Sequence, residues 1–333
     1  MSRLDYWHPV FSSRALRAGG VVEITLAGES IALFRTATGQ LGGIANRCAH
    51  RRMKLSLGRV DDGKLICPYH GWSYSADGKG ESPSSPKLHA CLSSYECAEA
   101  HGAIWVKGRG SSQELPRLEM DGWDFLGPVF HRAVEAPLQV VMDNLSELEH
   151  TVTTHPDFGF DPGRASEAQV EYAATEDTIM ARGHGPAKMP PLATRLTVGV
   201  RPGDRFQSDY SFHFDPPRTA VTHFWINPET GHERMAKYHV LVYFVPHDET
   251  KTSMVSFAFL QLRWPLLRGL GRYGGWFVRR KIRETIEEDL FLVENLADKS
   301  TSMEGMKLGR FDSILGLTRE RLARIYYGAL PAD

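Results

Sequence analysis

The chain has 333 residues, 42% of them hydrophobic, enough to bury a core in each of two domains. Its 39 basic and 40 acidic side chains leave a net charge of −1, so neither nucleic acid nor an anionic membrane surface is indicated as a partner. No apolar run approaches the length that crosses a bilayer, and Met1 to Val10 lack the apolar core of a secretory signal; a soluble cytoplasmic protein is expected.

Residues 1 to about 110 read as short strands and tight turns. Val21–Leu26 and Ile31–Phe34 are β-rich runs separated by Ala27-Gly28-Glu29, and Thr36 to Gln40 carries Gly39 as a hairpin connection. Leu41 to Ala45 leads into one loop, and Lys64-Leu65-Ile66 into a second. Ser75 to Lys79 turns on its Asp77-Gly78 pair, Ser82 to Pro86 reads as a surface loop, and Ala103 to Lys107 closes the segment as a strand.

The two loops hold the densest chemistry in the chain. The first reads Cys48-Ala49-His50-Arg51 and the second Cys67-Pro68-Tyr69-His70-Gly71-Trp72, with sixteen residues (51–66) between His50 and Cys67. Two thiolates and two imidazoles can hold zinc or an iron–sulfur cluster. Zinc fingers usually pair Cys with Cys and His with His, whereas each pair here is one Cys and one His. Such a set fits a [2Fe–2S] centre in which two His replace two Cys on one iron, which raises the potential relative to an all-Cys cluster. Cys91 and Cys97 lie outside this set. They can pair with each other or stay free, and a cytosolic iron–sulfur protein favours free thiols.

The block resembles the Rieske motif of the bacterial ring-hydroxylating oxygenases, including the Arg after the first His and the Tyr-His-Gly-Trp ending. Rieske proteins of respiratory cytochrome complexes carry two further cysteines, at places held here by Met53 and Tyr69. The loops are therefore of the oxygenase or soluble-ferredoxin type. Arg52 stands where that motif commonly has Gly.

Gly108 to Gln113, rich in Gly and Ser, reads as the start of a linker. The expected division is a Rieske domain over 1–110, a linker over 111–130 and a catalytic domain over 131–333. In the catalytic part, Glu167–Tyr172, Arg195–Val200, Asp209–Phe214, Ala220–Ile226, Tyr238–Val245 and Ser253–Leu262 read as antiparallel strands. A helix is predicted before them over Gln139–Thr154. A longer one follows from about Trp276 to Ala297, with Ile282, Ile286, Leu290 and Val293 at helical spacing. Thr318 is placed to cap a last helix running through Ile325. Helix, antiparallel sheet and long helix make an α+β unit, which resembles the helix-grip catalytic domain of Rieske oxygenases.

The first of these helices carries Asn144, Glu147, His150 and His155. Helical positions five apart differ by roughly 140° around the axis, so the two His reach one ion only if the helix ends or bulges between them. Pro156 and the threonines at 151, 153 and 154 favour such an end. Taken alone, the pattern is also compatible with unrelated histidines on a polar face. Glu147-x2-His150-x4-His155 resembles the mononuclear-iron motif of Rieske oxygenases, in which two His and a later carboxylate form a facial triad with positions open for dioxygen. Glu287, Glu288, Asp289 and Glu294 are candidates for that carboxylate. Asp289-x4-Glu294 resembles the family segment, which favours Asp289, with Glu288 next. The resemblance implies that Glu147 is no ligand but an acidic bridge from one subunit's cluster histidine to the next subunit's iron histidine, one methylene longer than the usual Asp. It also matches Asn144 to an Asn near the iron, where an ordinary helix-start residue is the alternative.

Gly269-x-Gly271-x-x-Gly274 satisfies a dinucleotide-binding pattern, but no strand leads into it and no βαβ unit surrounds it. It reads as a turn before the long helix. His213, His223, His239 and His247 fall within or at the ends of β-runs, as pocket residues or as packed or surface side chains.

The resemblance implies the oxygenase component of a Rieske non-haem iron oxygenase. Cys48, His50, Cys67 and His70 would hold a [2Fe–2S] cluster, and His150, His155 and Asp289 a mononuclear Fe(II). With no flavin or nicotinamide motif, electrons are expected from a separate NAD(P)H-dependent reductase or ferredoxin. The chain is short for the family, like members that form homotrimers and hydroxylate or demethylate, so monooxygenation of an organic, cyclic or aromatic substrate is expected. The alternatives are a cis-dihydroxylating dioxygenase and an electron carrier that keeps the cluster without active mononuclear iron. Pocket residues have no local signature that names the substrate.

Overall fold

The computed structural model describes residues 3–85, 87–267, 269 and 271–329. It divides into two units, one ending at Arg117 and including Val245–Lys251, the other made of Leu118–Phe244 and the chain from Thr252 onward.

The first unit is all-β. Its strands are β1 (His8–Ser12), β2 (Val21–Leu26), β3 (Glu29–Arg35), β4 (Leu41–Ala45), β5 (Arg59–Asp61), β6 (Lys64–Ile66), β7 (Ser73–Tyr74), β8 (Lys79–Glu81), β9 (His89–Cys91), β10 (Ser94–Ala100) and β11 (Ala103–Gly108). They form a six-stranded sheet in the order β1-β11-β10-β4-β3-β2 and a five-stranded sheet in the order β5-β6-β7-β8-β9. Phe34, Ile44, Leu55, Leu65, Trp72 and Tyr74 pack into one buried cluster, with Cys48 and Cys67 among them. The core therefore ends at the roots of the two ligand loops. Cys91 and Cys97 are free thiols.

The second unit is a seven-stranded antiparallel sheet with helices. Its strands are β12 (Asp124–Phe130), β13 (Gln169–Ala174), β14 (Thr178–Pro186), β15 (Arg205–Phe214), β16 (Pro217–Ile226), β17 (Ala236–Pro246) and β18 (Thr252–Leu262), in the order β12-β18-β17-β16-β15-β14-β13. The helices are α1 (Leu138–Ser146), α2 (Leu192–Val198), α3 (Gly271–Glu294) and α4 (Leu315–Arg321). Strand β15 buries every second residue from Phe206 to Phe214, so it sets one face against the core. Helix α3 packs on β12 and β18, where Val278 meets Leu126, Ala258 and Leu260. The α+β class expected from the sequence holds.

Several elements differ from the sequence reading. Residues 195–200 are not a strand: helix α2 starts after Pro191 and stops at Gly199, whose φ of 73° and bond to the Arg195 carbonyl close the helix. The β-branched Thr194, Thr197 and Val198 suggest a strand, but the flanking Pro and Gly decide the outcome. Strands β12 and β14 were not anticipated, and β12 falls in the stretch read as linker. Strand β14 is masked in sequence by Gly183 and Gly185. A Cβ on Gly183 would lie 2.6 Å from Leu148, and one on Gly185 2.9 Å from Ala168, so both glycines allow close approach. Helix α1 ends at Ser146 rather than Thr154, with Glu147 extended and a 3-10 turn over Glu149–Val152. Thr318 lies inside α4, its hydroxyl donating to the Leu315 carbonyl, and caps nothing.

Helix α3 begins at Gly271, five residues before the expected start. The Gly269 amide is 2.9 Å from both Asp124 carboxylate oxygens, and the Gly271 amide donates to one of them at 3.2 Å. The glycine pattern therefore serves a helix end satisfied by the chain's own carboxylate, not a phosphate.

Candidate metal centres

In the first unit, the loop between β4 and β5 carries Cys48 and His50, and the turn between β6 and β7 carries Cys67 and His70. Both loops close in the same way. The Arg52 amide donates to the Cys48 carbonyl (2.9 Å) and Gly71 to Cys67 (3.1 Å), while the Cys48 amide donates to Met53 (2.9 Å) and Cys67 to Trp72 (2.7 Å). The residue four after each Cys turns left-handed, Gly71 at φ 72° and Arg52 at φ 60°. Arg52 thus holds a conformation that suits glycine.

The sulfurs are buried and the imidazoles exposed. The Tyr74 hydroxyl lies 3.2 Å from Cys48 Sγ and accepts the Ala49 amide at 3.0 Å. The Tyr69 and His70 amides hydrogen-bond the Cys67 sulfur, while burial, the larger effect, pushes its thiol up. The His50 and His70 ring centroids are 4.5 Å apart, and His50 stacks on Trp72 at 5.6 Å. Donors around a single tetrahedral zinc lie about 3.3–3.8 Å apart, given bonds of 2.0–2.3 Å. Among the described residues, these four donors do not form a group lying within 4.8 Å of one another. The set suits a cluster with two metal atoms better than one ion.

In the second unit, the end of α1 meets α3. His150 lies in the 3-10 turn after α1, His155 follows that turn, and Asp289 faces them from α3. Their ligand atoms lie within 4.8 Å of one another. Each imidazole is held from behind. His150 Nδ1 donates to Glu147 Oε1 at 2.6 Å, and His155 Nδ1 to Glu288 Oε2 at 2.8 Å. Both Nε2 atoms turn toward Asp289 Oδ1, at 3.5 Å and 3.3 Å. Asp289 is 3% exposed, and its Oδ1 has no hydrogen-bond partner among the described residues. A buried carboxylate oxygen left unpaired costs about 1–3 kcal/mol or more. An ion among two Nε2 atoms and one carboxylate oxygen removes that cost, so the residues fit a two-His, one-carboxylate metal. Burial works to lower the His155 pKa, but the facing Asp289 and Glu288 carboxylates win and raise it to about 9.

Glu147 is not part of the helix, where the sequence reading placed it with His150. Its extended backbone lets the carboxylate reach His150 Nδ1 and also accept the Glu149 amide (2.6 Å) and the His150 amide (3.1 Å). Glu288 meets His155 Nδ1, while Glu287 and Glu294 point to Arg132 at 2.9 and 2.8 Å. Asn144 does not line the cavity next to the triad, although its Oδ1 is buried without a partner among the described residues.

That cavity, ≈ 130 Å³, lies between α3 and the sheet, with His150, His155 and Asp289 in its wall. Leu145, Phe158, Val221, Val240, Phe277 and Ile286 make it largely apolar. His223 lines it; His213, His239 and His247 do not. Burial first, and then His155 and His150, depress the His223 pKa to about 3. Sequence reasoning missed Trp225, Tyr210 and Phe158. Alternation along the strands placed the first two on one face, but nothing local tied that face to a metal.

A cluster-binding β domain followed by a sheet-and-helix domain with a His/His/Asp site is the architecture of the Rieske oxygenases. Residues 6–96 match the family model of the Rieske [2Fe-2S] domain, and residues 134–309 that of the vanillate O-demethylase oxygenase C-terminal domain. The chain belongs to the Rieske oxygenases, within the family that carries this second domain, and its cofactors are a Rieske [2Fe–2S] cluster and a mononuclear iron.

Chlorophyllide a oxygenase of Oryza sativa subsp. japonica is 35% identical over 158 residues, 45% of this chain and 28% of that protein. The vanillate O-demethylase oxygenase subunit of Pseudomonas sp. (strain ATCC 19151) is 31% identical over 139 residues, 39% of this chain and 42% of that one. The chain spans 24–29% of the length of chlorophyllide a oxygenases from Oryza sativa subsp. japonica, Arabidopsis thaliana and Chlamydomonas reinhardtii. The solved structure of dicamba monooxygenase bound to 3,6-dichlorosalicylic acid superposes with a TM-score of 0.80, over 98% of each chain at 14% identity, a likeness of fold.

No helix among the described residues is long and apolar enough to cross a membrane.

Proposed function

We propose that the chain is the oxygenase component of a Rieske non-haem iron oxygenase system, which hydroxylates or oxidatively demethylates a cyclic or aromatic substrate. The observation that carries this reading is the meeting of His150, His155 and Asp289 in the wall of an apolar cavity, with an unsatisfied carboxylate oxygen between two imidazole nitrogens. Cys48, His50, Cys67 and His70 hold the cluster, and His150, His155 and Asp289 hold the iron. Residues 1–110 form the electron-receiving domain and 131–333 the oxygenating one. Iron in such a triad supplies dioxygen chemistry, because two His and one carboxylate leave coordination positions open.

The chain's own residues do the rest. Glu147 and Glu288 accept the Nδ1 protons, fix each ring's orientation and leave Nε2 free to bind metal. The apolar wall holds the substrate and excludes water. Electrons come from a separate NAD(P)H-dependent reductase or ferredoxin. The protein is a cytoplasmic homotrimer in which Glu147 also reaches toward a cluster imidazole of the next copy, with Asn144 beside the iron.

Relatives named as vanillate O-demethylase and methylxanthine N1-demethylase support demethylation or hydroxylation. A 3-chlorobenzoate-3,4-dioxygenase subunit, 40% identical over 125 residues, favours cis-dihydroxylation as the second reading. Iron analysis with substrate-dependent oxygen uptake, using a surrogate reductase, tests the proposal. About three iron atoms per chain and coupled uptake are expected; about two, with no uptake, would reduce the chain to an electron carrier. Glu147→Gln, with both metals retained, is expected to slow single turnover of pre-reduced protein. Wild-type rates would remove the bridge, and a monomeric native mass the subunit-crossing path.

A further inference from the structure

Besides Asp289, two side chains in the cavity wall have polar atoms with no partner among the described residues. His223 and Trp225 stand two apart on β16, so they share a face, and both line the cavity. His223 Nε2 and Trp225 Nε1 are buried without a hydrogen-bond partner among the described residues. Trp225 is 1% exposed. A buried indole N–H usually finds a partner, and leaving one unmade costs about 1–3 kcal/mol. The rings are held firmly. Phe206 packs on Trp225 at 5.6 Å, and Phe158 lies against both His223 (4.4 Å) and His155 (4.7 Å). Phe158 thus joins His223 to the metal-facing imidazole of His155.

The remaining space and charge limit what can fill it. The cavity is ≈ 130 Å³. An apolar cavity of about 150 Å³ holds benzene, so the space beside the triad is on the scale of a single six-membered ring. Among the described residues, Lys281 is the only Lys or Arg in the wall, and it is already shared between Asp157 (3.1 Å) and Glu284 (2.9 Å). Asp157 in turn receives the Thr194 hydroxyl. Around the triad, the carboxylates of Asp289, Glu147 and Glu288 outnumber the two charges of a ferrous ion. A buried carboxylate on a substrate would find no free Lys or Arg among the described wall residues, at a high desolvation cost.

We infer that the cavity is built for an uncharged single-ring substrate bearing a hydrogen-bond acceptor, a carbonyl or ether oxygen, which takes the Trp225 indole N–H with His223 beside it. This rests on the oxygenase reading and sharpens it: the substrate differs in charge from aromatic acids. The acceptor anchors one end of the ring and leaves the other for oxidation.

The test is calorimetric binding to the iron-loaded full-length protein with three probes: acetophenone, α-methylstyrene (the same shape without the acceptor) and benzoate. Acetophenone is expected to bind about tenfold tighter than either of the others. Trp225→Phe is expected to erase about tenfold of the acetophenone affinity and leave α-methylstyrene within about twofold. Equal wild-type affinities for acetophenone and α-methylstyrene overturn the inference, as does benzoate binding as tightly as acetophenone. So does a Trp225→Phe variant that retains wild-type discrimination. If Trp225→Phe does not fold, the wild-type ranking decides alone. Iron content is measured on the same samples. A flat ranking at about three iron atoms per chain sinks only this inference, whereas about two sinks the oxygenase reading beneath it.

Discussion

The two metal centres solve one problem, fixing two imidazoles, by different means. At the cluster, both ligand pairs come from short loops built on the same plan, closed by backbone hydrogen bonds and backed by aromatic rings. At the iron site, the imidazoles follow α1, their carboxylate partner comes from α3, and each ring is held by a Glu. Backbone amides and rings around the sulfurs add no net charge. Carboxylates behind the imidazoles do, raising their basicity toward metal. On the proposed reading, the cluster loops tune a potential, whereas the iron site tunes metal affinity.

Breaking the iron site alone is expected to have the largest effect. His155→Ala should remove the mononuclear iron, abolish substrate-dependent oxygen uptake and leave the Rieske absorbance intact; full iron content with normal turnover would show the site to be misplaced. Glu288→Ala spares the ligands and deprives His155 of its Nδ1 partner. Iron affinity is expected to fall by roughly 10–100-fold, measured by chelator competition, with the cluster unaffected.

On the cluster side, His70→Cys should retain a cluster at a lower midpoint potential in voltammetry, because a thiolate adds negative charge. Tyr74→Phe removes the hydroxyl beside Cys48 Sγ. A hydrogen bond worth about 1 kcal/mol corresponds to roughly 40 mV for a one-electron couple, again downward, and an unchanged midpoint would discount the contact. The smallest effect is expected at Arg52. Since it takes the left-handed place that Gly71 fills in the sister loop, Arg52→Gly should stabilise the protein by about 1 kcal/mol or less, read from denaturant midpoints, with the cluster spectrum unchanged.

The same contrast explains what the sequence could reveal. Each ligand pair at the cluster lies within four residues, so spacing and residue type expose it directly. The candidate iron ligands His150 and His155 were named through a family likeness, because local periodicity continued a helix through residues that leave it. The partnership of His155 with Glu288 had no local trace: it spans 133 positions and depends on where α3 lies against the end of α1. Helix α2 was hidden by β-branched residues whose flanking Pro191 and Gly199 carried the better signal. Strand β14 was hidden by glycines present for packing.

Helix α3 also constrains how the chain can change length. Its first turn is tied to Asp124 on β12, and near its far end Glu287 and Glu294 share Arg132. Between Gly271 and Asp289 the helix rises about 27 Å, and each residue turns it by about 100°. One inserted residue in this span would swing Asp289 away from both imidazoles even if every side chain stayed the same. The non-helical stretch 297–313 beyond α3 carries no such phase requirement. Insertions and deletions in descendants of this chain should therefore collect there and be purged from 271–289.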